Sequence, residues 1–392
     1  MKKFLILASL VLSLNACSIE DSKEGQSPND LNISHQMKKI RNSADRLFYY
    51  TWNQDEELNE SEKSDLVQIV SDLKNNFHKL KSINNQQANE TGFQLILADQ
   101  NKLLADIEDN LKNDKFDYAR WQLKGVTHNC FSCHSRVPSL SDKIDLNLRI
   151  NNTSFESKLA EVEFLVASRQ FNNAENKLYH LAQELSSNDY RKGLAFDSIK
   201  LWILLQLRVT DDLQEAASNL SKLVDQSTFD EASKALIRHW AAEIEKLANT
   251  QKNSQTDKTS NHNLESVKSI LGNLTKYRSE EENNRDLVSS IYASSLLHQM
   301  QYEDKSKLNH QKLLALLGVT YSRITIPSLQ ALSMPYLEQC ITITPHTKWS
   351  KICFINWKST FDFNHTGSGG ENLENTDYEK LNKLKSLSSK SR

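Results

Sequence analysis

Between Pro138 and Pro327 the chain contains no proline, and its 392 residues hold only 5 prolines and 9 glycines. A sheet-rich chain needs turn residues about every eight to twelve positions, and this one does not supply them. Long helices joined by short polar turns are what such a sequence can form, so the expected fold class is all-α. The apolar residues recur at the matching period. Segment 34–52 sets Met37, Ile40, Ala44, Leu47, Phe48 and Thr51 on one stripe, and segment 60–82 does the same with Leu66, Ile69, Val70, Leu73, Phe77 and Leu80. Segment 86–112 contributes Phe93, Ile96, Leu97, Leu103, Leu104, Ile107 and Leu111. Segment 115–136 contributes Phe116, Ala119, Leu123, Val126, Cys130 and Cys133, with Val137 just beyond it. Steps of three and four are the helical period, and four such helices with short links predict an antiparallel bundle over 34–140.

Near the end of the fourth segment stands Cys130-Phe131-Ser132-Cys133-His134. A thioredoxin-type redox pair needs a βαβ setting, which this helical pattern lacks. Half a zinc site needs a second Cys or His pair at close spacing, and Cys340 and Cys353 lie far along the chain. The histidine directly after the second cysteine points to a third chemistry. Two thiols one helical turn apart add across the vinyl groups of a haem, and the histidine reaches its iron. The expected cofactor is one haem c, covalent through Cys130 and Cys133, with His134 as axial ligand.

This layout resembles the four-helix cytochromes of the cytochrome c prime type and their methionine-ligated relatives. The resemblance covers roughly residues 34–140 and rests on helix count, motif position and the first-helix methionine. It implies a haem-binding bundle in which Met37 is the sixth iron ligand; the residues alone also allow Met37 as simple core filling. His35 is the runner-up ligand. It lies about 200° round the helix from Met37 by the 3.6-residue period, on the polar side with Lys38 and Lys39. An iron with no sixth ligand would bind small gases such as NO or CO. His78 and His128 read as surface residues. Arg120, Lys124 and Arg136 flank the motif, either as partners for haem propionates or as a solvated helix face. The family usually ends soon after its haem helix, and this chain does not.

Residues 1–17 read as a signal peptide: Lys2 and Lys3, then an apolar run over 4–14 too short to anchor across a bilayer. The run ends Leu14-Asn15-Ala16-Cys17, which resembles the bacterial lipobox and implies lipidation at Cys17, although Asn15 is uncommon at its place. An ordinary secretory signal with a chance cysteine is the other reading. Ser18 is not the aspartate that favours inner-membrane retention, so the lipoprotein rule points to the outer membrane, facing the periplasm. Residues 18–33 are polar and expected as a flexible tether. With 48 basic and 50 acidic residues and no long run of one sign, no electrostatic case arises for a nucleic-acid partner.

Residues 154–250 repeat an apolar pattern. Leu159, Val162, Leu165, Phe171, Ala174, Leu178 and Leu181 are echoed by Leu204, Leu207, Leu213, Ala216, Leu220 and Leu223. The spacing loosely resembles tetratricopeptide-type helix pairs, which implies a stacked array that docks a partner protein; an irregular helical domain without a groove is the alternative. A polar linker is expected over 251–263, and helical repeats and a tail over 264–392, broken at the glycine-rich 367–370 and closed by a short helix over 378–387. Cys340 and Cys353 flank the turn Thr344-Pro345-His346-Thr347, and in an oxidising compartment a disulfide is expected between them rather than two free thiols. No Ser/His/Asp set, phosphate loop or supported carboxylate pair marks an enzyme. The expected function is an exported, membrane-anchored mono-haem electron carrier that docks a redox partner. The alternatives are a gas-binding or catalytic haem protein, or mainly an interaction scaffold.

Overall fold

The computed structural model describes residues 28–52, 57–83, 91–136, 155–186, 192–210, 212–256, 264–276, 278–301, 307–367, 370–371, 373 and 375–389. The signal peptide, Cys17 and the first part of the expected tether lie outside the described residues, as does 137–140 at the end of the expected bundle. The described residues form an all-α structure, apart from a two-residue antiparallel pairing of β1 (Thr366–Gly367) with β2 (Gly370–Glu371) at the glycine-rich break. No helix among them is long and apolar enough to cross a membrane.

The first four helices are α1 (Pro28–Trp52), α2 (Glu60–Leu80), α3 (Thr91–Lys112) and α4 (Phe116–His134). Helix α1 begins within the stretch read as tether. Each helix packs on the next, and α4 returns to α1. Leu66, Ile69, Val70, Leu73, Leu104, Ile107, Ala119 and Leu123 fill the shared interior. The starts and stops are locally encoded. Asn59 caps α2 by accepting from the Ser61 and Glu62 amides, while Glu62 accepts from the Asn59 amide at 2.9 Å, a capping box. Helix α3 ends in a turn with Asp114 at φ 56°, where the Lys115 amide donates to the Asn110 carbonyl at 2.9 Å.

Helix α4 carries two apolar faces. Ala119, Leu123, Val126 and Cys130 face the bundle. Phe131, 1% exposed, and Cys133 face a second, larger core. That core belongs to α5 (Phe155–Ala167), α6 (Phe171–Ser186), α7 (Lys192–Leu205) with a π turn (Gln206–Thr210), α8 (Leu213–Gln226), α9 (Glu231–Thr256), α10 (Leu264–Leu271), α11 (Glu280–Arg285), α12 (Leu287–Met300), α13 (Lys307–Arg323), α14 (Pro327–Gln330), α15 (Ser333–Ile343), α16 (Lys348–His365) and α17 (Asn375–Ser388). One continuous apolar cluster runs from Val162 to Leu384, so the expected division at 251–263 does not separate two cores. Helix α9 itself continues to Thr256, into the stretch read as linker. Helix α5 docks on α4 and on α1, where the Phe48 and Phe164 rings lie 4.1 Å apart. The Ser132 hydroxyl donates to the Ser328 carbonyl in α14 at 3.0 Å.

Arg120 is 2% exposed, beneath the end of α1, and its Nε donates to the Tyr50 carbonyl at 3.2 Å. It is not a solvated face: a helix C-terminus leaves carbonyls that need a donor, and Arg120 supplies one. In the array, Cys340 of α15 and Cys353 of α16 form a disulfide with both residues fully buried. Gln311 of α13 braces the same hairpin, its amide donating to the Cys340 and Thr344 carbonyls at 2.8 and 2.6 Å. A loop of this length is worth about 3 kcal/mol in closure entropy. Replacing both cysteines with alanine should therefore lower the unfolding free energy by about 3 kcal/mol in denaturant titration. Dithiothreitol should then no longer affect the array's midpoint.

Candidate functional site

The cysteine motif opens onto an apolar cavity at one end of the bundle. Met37 and Ile40 from α1, Phe77 and Leu80 from α2, Phe93, Ile96, Leu97 and Gln100 from α3, and Asn129, Cys130, Cys133 and His134 from α4 enclose it. The antiparallel order explains the set, since the beginnings of α1 and α3 and the ends of α2 and α4 meet there. The empty space amounts to about 430 Å³, part of it open to solvent.

His134 is held by backbone from another helix. Helix α5 closes with Arg169 in the left-handed region at φ 62°. The Gln170 amide donates to the Leu165 carbonyl at 2.8 Å and the Arg169 amide to the Val166 carbonyl at 3.0 Å. This Schellman pattern does not use the carbonyl of Ala167, the residue between. His134 Nδ1 meets that carbonyl. A carbonyl only accepts, so Nδ1 carries the proton and Nε2 keeps its lone pair. Burial, and then the Arg169 cation, push His134 down to about 3, so the imidazole is neutral. A neutral histidine with one nitrogen fixed by a backbone carbonyl is the usual form of a metal-ligating histidine.

Cys130 and Cys133 are free thiols one turn apart. Burial, with Cys133 beside it, pushes the Cys130 thiol up to about 12. A reactive redox dithiol needs the opposite, a lowered pKa. Met37 borders the same cavity, whereas His35 is exposed and does not. His78 is exposed, as expected. His128 is not a bare surface residue: its Nε2 lies 3.0 Å from Glu163 Oε2 and ties α4 to α5. Arg136 is 7% exposed, its Nε donating to the Ser132 carbonyl at 3.1 Å and its Nη1 to the Tyr336 hydroxyl at 3.0 Å. Neither Arg136 nor Lys124 borders the cavity.

Two contributors lie outside the sequence expectation. One is the Ala167–Arg169 turn. The other is Gln100, 1% exposed, whose amide nitrogen and oxygen both lack a hydrogen-bond partner. It sits between Leu97 and Leu104, three and four residues away on the α3 stripe, and a polar residue at an apolar register was the available signal. A buried amide left unmet costs about 1–3 kcal/mol, a cost that a water or an occupant offering it a polar atom would remove. Among the described residues no group of three or more His, Cys, Asp or Glu side chains gathers to hold a bare metal ion. The donor set here is two thiols, one imidazole and one thioether around apolar walls, and it fits a flat macrocycle carrying its own metal. Comparison with protein-family models, with curated proteins and with solved structures found no match to this chain.

The His128–Glu163 pair gives the site a pH dependence. Burial pulls His128 down, but the Glu163 hydrogen bond and charge outweigh it, leaving the folded-state value above the ordinary 6.5. Because the folded value is the higher, the pair's stability is fully present below about pH 6.5 and is lost as pH rises through the raised value. Glu163→Gln should remove this slope from a plot of Tm against pH, with no change at the alkaline end.

Proposed function

We propose that the chain is an exported mono-haem c-type cytochrome that carries electrons in the cell envelope, with its helical array docking a redox partner. The observation that carries this reading is that Met37, Cys130, Cys133 and His134 border one apolar cavity. Cys130 and Cys133 would hold the haem by thioether bonds, His134 Nε2 would bind its iron, and Met37 would be the candidate second protein ligand. A haem bound there supplies a one-electron couple. The protein's part is to fix the His134 tautomer through Ala167, to exclude water with Phe77, Phe93 and Ile96, and to set iron access through Met37. The export address rests on the 1–17 signal and Cys17, which would lipidate and tether the chain to the outer membrane.

A gas-binding haem protein is the second reading, favoured by Gln100. Its unmet amide suits a small polar ligand on the iron, whereas a neutral amide alone is a poor partner for a buried propionate carboxylate.

The absorption spectrum separates the two. In the electron-carrier reading the reduced protein is unchanged by CO, and Met37→Ala opens it to CO. A wild-type protein that binds CO at once, with Met37→Ala identical to it, refutes Met37 as ligand. Replacing Cys130 and Cys133 with alanine should make the haem extractable by acid acetone. In the Met37→Ala background, Gln100→Leu should weaken NO or O2 relative to CO by roughly 2- to 10-fold, the worth of one hydrogen bond.

A further inference from the structure

A second buried cluster lies where the array meets the end of α4. The π turn Gln206–Thr210 prolongs α7 and packs on α12. Such turns alter the helical circuit, re-aim the side chains on it and recur at functional positions. This one carries Arg208, 8% exposed. Arg208 Nη2 donates to Ser294 Oγ at 2.6 Å, and its guanidinium carbon lies 5.9 Å from the Tyr321 ring centre. Its Nε and Nη1 are sealed from solvent and donate to nothing.

The neighbours offer hydroxyl and ring contacts to Arg208 but no opposite full charge. His298, 8% exposed, has Nε2 2.7 Å from the Tyr321 hydroxyl and Nδ1 3.3 Å from Gln301 Oε1. An amide oxygen only accepts, so Nδ1 carries the proton and Tyr321 donates to Nε2. Burial, then the Arg136 and Arg208 cations, hold His298 well below its ordinary value, so it is neutral. Tyr321 stacks on Tyr336 with ring centres 5.6 Å apart and planes at 3°. Tyr336 in turn accepts from Arg136. Burial lowers Arg208 first; the Tyr321 oxygen, a hydrogen-bond partner, and Tyr336 act against this, while Arg136 adds to it, and a guanidinium stays protonated. Among the described residues no carboxylate pairs with Arg208. Buried charges are paired or bind a counter-ion.

We propose that Arg208 anchors a buried anion site that takes a carboxylate or a small oxyanion on its free N–H groups, in a positive field shared with Arg136. The anionic oxygen has two possible sources, a propionate of a haem on the α4 motif or a free anion from solution. The second does not depend on the haem reading.

The test uses the purified full chain, with Arg208→Met and Arg208→Lys. Tm is followed as formate or nitrate replaces a bulky sulfonate at constant ionic strength, and the haem midpoint potential is followed against pH. A free-anion site gives a saturable rise of a few degrees in wild type, smaller in Arg208→Lys and absent in Arg208→Met. A propionate site gives no anion response, but Arg208→Met and, less strongly, Arg208→Lys shift the midpoint potential and its pH dependence. The proposal is overturned if wild-type Tm is flat in both anions and the variants' potential curves superpose on wild type. If Arg208→Met does not fold, wild type and Arg208→Lys decide both arms. A preparation shown by its spectrum to lack haem refutes the function proposed above; a flat Tm then overturns the anion site by itself.

Discussion

The contact between His134 Nδ1 and the Ala167 carbonyl is the point on which the rest of the arrangement turns. It joins the last residue of the bundle's fourth helix to the last residue of the array's first. A carbonyl at a helix C-terminus is an acceptor in need of a donor, and the Schellman turn at Arg169 satisfies the carbonyls on its N-terminal side while leaving this one. The imidazole that fills the role is thereby locked in one tautomer with Nε2 free. Moving α5 would free the histidine ring, and rotating the ring would take from the Ala167 carbonyl its His134 partner. The array is therefore part of the site's construction as well as a candidate docking surface.

The same sharing runs through α4 as a whole. Cys130 faces the bundle core, while Phe131 and Cys133 face the array core. Ser132 and Arg136 bond to α14 and α15. A motif of five residues is thus gripped from two sides, and the two residues between its cysteines act as packing residues of the array. That grip is a physical reason for the bundle to continue into a long helical extension instead of ending after its fourth helix.

Much of the fold was legible because its causes are local. Helical period and the turn between Cys340 and Cys353 are written within a few residues of one another, and the all-α class and the disulfide fall where they predict. Cys130, Cys133 and His134 were singled out by spacing and Met37 by the family resemblance, and all four border the cavity. What was not legible depends on partners distant in sequence. The Ala167 carbonyl has no side-chain signature, and the left-handed Arg169 stands where glycine would have signalled the helix end. Arg120 and Arg136 look like solvent-facing cations until the Tyr50 carbonyl and the Tyr336 hydroxyl are brought to them. The single core running from α5 through α17 overrides a polar stretch that looked like a domain linker.

The central claim is that Cys130 and Cys133 carry one haem through thioether bonds. The most direct measurement is the intact mass of the mature chain, expressed with the periplasmic haem-attachment machinery and alkylated after unfolding under reducing conditions. The account predicts one added haem per chain, with Cys130 and Cys133 refractory to alkylation and Cys340 and Cys353 both alkylated. A haem-free chain alkylated at Cys130 and Cys133 as well would contradict it.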